Sequence, residues 1–232
     1  MTAEQLVRGP RGAGASTPAR VHAVLRLLMA ALIAFTVIVQ LVEALTRTVP
    51  ATAGNFFSYF TIQANILVAV VFAVAAVIQL RQPAEPRWLD RVRGAATVYI
   101  SITGVVYALL LSNIDVNTPL PWANVVLHYV VPIVTVVDWL LDLPERTIPF
   151  RSALIWLAYP LAYLVYSLIR GPIADWYPYP FIDPGPHGYG YVAVMSVCVA
   201  IAAAVFVALV AGATRLPGRM FGATRLPGRM LR

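Results

Sequence analysis

A chain of 232 residues with 60% hydrophobic and only 12% charged side chains cannot cover itself as a soluble domain does, since a water-facing surface needs roughly twice that charge. Its net charge of +7 comes from 17 basic residues, all of them Arg. These stand in short loops and tails beside apolar runs. Orientation in a membrane and contact with anionic lipid headgroups account for them, and nucleic acid is excluded as a partner.

Residues 1–21 are polar and rich in Gly, Pro and Ala, the composition of a disordered segment. Six apolar spans follow over 22–45, 57–80, 94–112, 122–141, 152–169 and 190–212, each near the ~20 residues that cross the hydrocarbon core as a helix. The first is too long for the apolar core of a signal peptide, and no small-residue cleavage site clearly follows it, so it reads as a retained helix. The fifth is the shortest and carries Pro160. Residues 22–212 therefore predict an all-α, polytopic bundle of six transmembrane helices. The tail, 213–232, is basic. It holds most of a duplication in which GATRLPGRM stands at 212–220 and again at 222–230, adding positive charge and no chemistry.

Charge assigns the sides. Arg8, Arg11, Arg20 and Arg26, then Arg81, Arg87, Arg91 and Arg93, then Arg146 and Arg151, then Arg215, Arg219, Arg225, Arg229 and Arg232 all fall on one side of the plot. Only Arg47 and Arg170 fall on the other. The positive-inside rule then predicts cytoplasmic termini, and an even number of spans agrees by requiring both termini on one side. The protein is expected in the inner or plasma membrane. The lack of Lys beside much Ala, Arg, Val and Pro fits a GC-rich bacterial genome. Trp122, Trp139 and Trp156, near predicted helix ends, are expected as interfacial anchors, and Trp88 sits in a segment that suits the inner headgroups. Cys198, in an apolar run, is expected to pack.

Polar residues inside spans are costly, so they carry the functional information. Thr61 and Asn65 are four apart on the second span and share a face, with Gln63 pointing elsewhere. On the fourth span Asn124, His128 and Thr135 make one stripe. Thr61 lies about four residues and His128 about six residues from the outer end, so both sit roughly 6–9 Å deep and can meet if their helices are neighbours. Pro132 has no N–H and kinks the helix at His128. The bland alternatives stand beside these readings. A membrane threonine ordinarily bonds back to its own helix, and a proline kink is common in such helices. Thr97, Ser101 and Gly104 read as a small-residue packing face. Asp138 and Glu43 read as carboxylates reaching the interface, although Asp138 also suits a buried proton carrier. The Pro- and aromatic-rich segment 170–191 reads as a stiff outer loop, with His187 a solvated turn residue. The histidines and the cysteine are scattered without ligand spacing, and no phosphate-binding or dinucleotide-binding glycine pattern occurs, so neither metal nor cofactor is expected.

Tyr59-Phe60-Thr61 at the start of the second span, His128 with Pro132 in the fourth, and Trp176 with Tyr179-Pro180-Phe181-Ile182-Asp183 in the outer loop resemble the androgen-induced protein family. That family includes the androgen-dependent regulators of tissue factor pathway inhibitor and bacterial six-helix relatives. The resemblance covers about residues 22–212. It implies a multi-pass threonine hydrolase acting on fatty acid esters of hydroxy fatty acids, with Thr61 as nucleophile and His128 as base. Asn65 and Asn124, one turn from each, are the expected oxyanion donors, and Trp176, Tyr179 and Asp183 the expected substrate contacts. Membrane lipids, one of them a fatty-acid ester substrate, are the expected partners. Two rivals remain open from the residues alone: a small transporter or channel using the same polar cluster, and a structural membrane protein in which the cluster only joins helices.

Overall fold

The computed structural model describes residues 16–49, 51–81, 86–112 and 120–216. The expected disorder of 1–21 falls almost wholly outside the described residues, as does nearly all of the duplicated tail. Every regular element among the described residues is helical. Six helices are long and apolar enough to cross a membrane: Thr17–Thr46, Phe60–Arg81, Arg87–Leu111, Pro121–Leu141, Phe150–Ala174 and Pro184–Ala213.

In chain order, α1 (Thr17–Thr46) starts where Ser16 accepts the Ala19 N–H, with a proline in the first turn. A short α2 (Ala53–Phe57) is capped by Thr52 and leads into α3 (Phe60–Arg81). The third span is α4 (Arg87–Val106), continued by a wide π turn over Tyr107–Leu111. The fourth is α5 (Pro121–Val125), a second π turn over Val126–Val130, and α6 (Val131–Leu141). The fifth comprises α7 (Phe150–Ala153), a 3-10 turn and α8 (Ala158–Ala174), and the sixth is α9 (Pro184–Ala213).

The third span is the centre. Its residues Ala96 to Thr103 are all buried, and it packs against α3, α6 and α9. The expected small-residue face is real: Thr97 and Ser101 bond back to carbonyls one turn earlier. Gly104 lets Pro132 approach so closely that a Cβ there would lie 3.0 Å from the proline Cβ. At Gly94 an added Cβ would sit 2.5 Å from the Trp156 ring.

Several expectations are corrected. The fifth span is not the shortest, because Gly171 and Pro172 remain helical to Ala174. The outer loop is shorter than 170–191, because α9 begins at Pro184 and only bends at Gly188, whose φ of +75° suits a residue without Cβ. His187 is accordingly an exposed residue of that first helical turn, its ring against Tyr191. Trp139 and Trp156 are core residues, 2% and 4% exposed, not interfacial anchors; the Trp139 indole N–H donates to the Val210 carbonyl at 3.2 Å. Trp122 is exposed as expected. Trp88 stands in the first turn of α4 and is exposed. Cys198 is exposed, so it does not pack in the bundle.

The largest correction concerns Asp138. It is buried, and it anchors an ion-pair cluster at the end of the bundle remote from Thr61. Arg26 grips it with two nitrogens, Nε at 2.7 Å and Nη2 at 2.9 Å, and Nη2 also reaches Asp142 at 2.9 Å. Arg93 lies 3.3 Å from Asp138 and 3.2 Å from Asp142. His22 Nε2 sits 2.9 Å from Asp138. Gln79 joins the set. Arg26 donates to its Oε1 at 3.1 Å, which turns its Nε2 to donate to His22 Nδ1 at 3.2 Å. His22 Nδ1 is therefore an acceptor, and Nε2–H is left to donate to Asp138. Arg26 and Arg93 thus act as more than topological charges: they neutralise Asp138 and Asp142 and join the first, second, third and fourth spans. His22 is itself buried within α1.

Candidate active site

At the opposite end, the sequence dictates an unusual start to α3. Thr61 is the second residue of α3, so the carbonyl four residues back belongs to Phe57 at the end of α2, and that carbonyl accepts from Gln63 Nε2 at 2.8 Å. Thr36, Thr97, Thr103 and Thr135 all donate to the carbonyl four residues back, the ordinary habit of a buried helical threonine. Thr61 does not. Its Oγ1 lies 3.3 Å from His128 Nε2 and 3.3 Å from the Tyr179 hydroxyl.

His128 is held from three sides. Its Nδ1 stands 3.1 Å from the Asn124 carbonyl. A carbonyl only accepts, so Nδ1 carries the proton and Nε2 presents its lone pair to the Thr61 hydroxyl. The Tyr107 ring stacks on the imidazole with centroids 4.0 Å apart. Asn124 Nδ2 donates to the Tyr107 hydroxyl, which fixes that ring in turn.

The kink at His128 takes a specific form. Within the π turn, the Val131 N–H bonds the Val126 carbonyl, one residue further back than in an α-helix. The Leu127 carbonyl thereby loses its helical donor, and Asn65 Nδ2 supplies another at 3.3 Å while also donating to the Thr61 carbonyl at 2.8 Å. Asn65 thus ties the second span to the fourth behind the Thr61–His128 pair. Both Asn65 amide protons are spent there, Asn124 gives one of its two to Tyr107, and neither residue borders the cavity that opens on Thr61 and Tyr179. Neither asparagine takes the expected oxyanion-donor position. Thr135, the last member of the predicted stripe, bonds its own helix.

Tyr179 arrives from the loop. Asp175 ends α8 in the left-handed conformation, φ 47°, and the Asp175 and Trp176 N–H groups both bond back to the Gly171 carbonyl. That reversal folds Trp176 to Asp183 back over the bundle. Tyr179 stacks on Phe181, centroids 5.2 Å apart and planes 5° from parallel. Its hydroxyl accepts the Thr61 N–H at 3.1 Å. Burial pushes the Tyr179 phenol up to about 12, so at neutral pH it keeps its proton and remains a donor. Trp176 packs edge-on against Tyr59 at 5.4 Å and does not reach Thr61 itself. Asp183 is the cap of α9, accepting the Gly185 N–H at 2.8 Å, and has no contact with the Thr61 group.

A cavity of about 460 Å³ opens on Thr61 and Tyr179. Its walls are almost wholly apolar and come from the third, fifth and sixth spans, among them Ile102, Val106, Leu161, Leu164, Val199 and Ala203. His128 is not part of the wall. The hydroxyl of Thr61 therefore sits between an imidazole on one side and an apolar chamber with a tyrosine donor on the other. Among the described residues no group of His, Cys, Asp and Glu is arranged to hold a metal ion. Comparison with protein-family models, curated proteins and solved structures finds no match for this chain.

Proposed function

We propose that the protein is a multi-pass enzyme of the cell membrane that hydrolyses lipid esters, with Thr61 as nucleophile and His128 as general base. The observation that carries this reading is the Thr61 hydroxyl, which lies 3.3 Å from Nε2 of a histidine whose Nδ1 is held on the Asn124 carbonyl. The likeness of Thr61, His128 and the Tyr179 loop to the threonine hydrolases of fatty acid esters of hydroxy fatty acids supports it. So does the cavity, whose volume falls within the roughly 300–1,000 Å³ of small-molecule sites and whose walls suit an acyl chain. With cytoplasmic termini, the site faces the outer leaflet, and a fatty-acid ester enters sideways from lipid.

Thr61 Oγ1 attacks the ester carbonyl carbon as His128 Nε2 takes its proton. The carbonyl oxygen becomes an oxyanion and accepts the Tyr179 O–H. Collapse expels the alkoxide, which leaves with the proton from His128, and the acyl group stays on Thr61. Water then enters, gives a proton to His128 and attacks the acyl carbon. The acid departs and the proton returns to Thr61. All the groups required are side chains of this protein.

Tyr179→Phe is expected to slow hydrolysis by about 10²–10³-fold, the usual effect of losing one oxyanion donor, with little change in KM. Initial rates on an ester panel measure it. The direct test of the reading is covalent capture. A fluorophosphonate probe incubated with the purified protein is expected to add one mass label, mapped by peptide mass spectrometry to Thr61 and absent in Thr61→Val. Labelling elsewhere, or equal labelling of the variant, would sink the proposal.

A further inference from the structure

The two arginines on the sparsely charged side, Arg47 and Arg170, need a reason other than topology. Each carries a buried guanidinium nitrogen with no hydrogen-bond partner, Nε of Arg47 and Nη1 of Arg170. Desolvated charged donors of this kind are costly unless an acceptor meets them. The rest of the Arg170 fork is positioned: Nη2 donates to Asn55 Oδ1 at 2.5 Å, and the guanidinium lies over the Trp176 ring, 5.4 Å from its centroid. Trp176 in turn packs on Tyr59, and the Arg47 charge acts on the Tyr59 hydroxyl. Arg170 therefore lies on one ring of an aromatic pair, and the Arg47 charge is felt by the other. Both residues are half-buried.

The surroundings decide the ligand class. Val49, two residues after Arg47, and Ile169 and Ile173, on either side of Arg170 in α8, are 77%, 61% and 79% exposed, so the exposed chain neighbours of both arginines are apolar. A guanidinium fork suits a phosphate or carboxylate, and apolar flanks suit attached acyl chains. We infer that Arg47 and Arg170 form a binding site for the oxyanion of an acidic lipid headgroup, seated at the Tyr59–Trp176 pair. This goes beyond ester hydrolysis and does not rest on it, because the site lacks Thr61 and His128.

Native mass spectrometry of the full-length protein released from detergent tests the site with phosphatidylglycerol, phosphatidylcholine of the same chains, and inorganic phosphate as probes. Wild type is expected to retain one phosphatidylglycerol at collision energies that strip phosphatidylcholine. Arg170→Gln and Arg47→Gln are each expected to weaken that retention about tenfold, the effect of losing one charge-assisted bond. Arg151→Gln, at the other end of the bundle, is expected to leave it unchanged, and so is Thr61→Ala. Equal retention of the two lipids by wild type would overturn the assignment without any variant having to fold. Equal losses in Arg151→Gln and Arg170→Gln, or inorganic phosphate displacing the lipid, would do the same. Loss of hydrolysis in Thr61→Ala with lipid retention intact separates this site from the enzymatic reading.

Discussion

Thr61→Ala is expected to lower lipid-ester hydrolysis by at least about 10⁴-fold, the scale on which nucleophile removal acts in hydrolases. His128→Ala should fall as far. The double variant should be no slower than either single one, because nucleophile and base work as one unit. Both substitutions leave the bundle intact. Thr61 gives up two side-chain contacts of 3.3 Å, a loss of about 1 kcal/mol, while Asn65 still ties the Thr61 carbonyl to the fourth span. Thr61→Ser keeps a hydroxyl beside the same imidazole and should retain a measurable rate. The measurement is turnover of a panel of lipid esters by purified protein, with unfolding temperature recorded on the same samples. Wild-type turnover in either single variant would end the enzymatic reading.

Asp138→Ala is expected to cost about 3–5 kcal/mol of stability. The carboxylate answers Arg26, Arg93 and His22 together, and all three are buried around it. Removing it takes away one of the two buried carboxylates that Arg26 and Arg93 share. The pair Arg26→Met with Asp138→Leu removes one charge of each sign, so it should cost less than Asp138→Ala although it alters more atoms. Thermal or denaturant unfolding in detergent reads both. A joint variant less stable than the single one would show that the cluster contributes more than charge compensation.

The span count was legible because hydropathy over ~20 residues is a local property. So was the matching depth of Thr61 and His128, because it follows from each residue's distance to a helix end; that their helices are neighbours was not. The ion-pair cluster was not. Arg26 reads in sequence as one more basic residue near a terminus and Asp138 as a carboxylate near a helix end; only the packing of helices 112 residues apart joins them. The same limit hid the buried places of Trp139 and Trp156. The roles of Asn65 and Asn124 were misjudged for a different reason. Their residue type suits an oxyanion hole, but the π turn creates a local carbonyl that needs a donor and consumes Asn65, while Tyr107 consumes Asn124. Tyr179 came to attention only through its loop's resemblance, since a tyrosine among Pro and Trp has no spacing that points to a threonine 118 residues away.

The wide turn at Val126–Val130 also phases the fourth span. An added residue offsets everything beyond it by one position, about 100° around the axis. The half that bears His128 and the half that bears Asp138 are thus aimed separately, one at a hydroxyl and the other at two guanidinium groups. Deleting a single residue there would straighten the winding and force a choice, because no rotation of the regular helix restores both alignments at once.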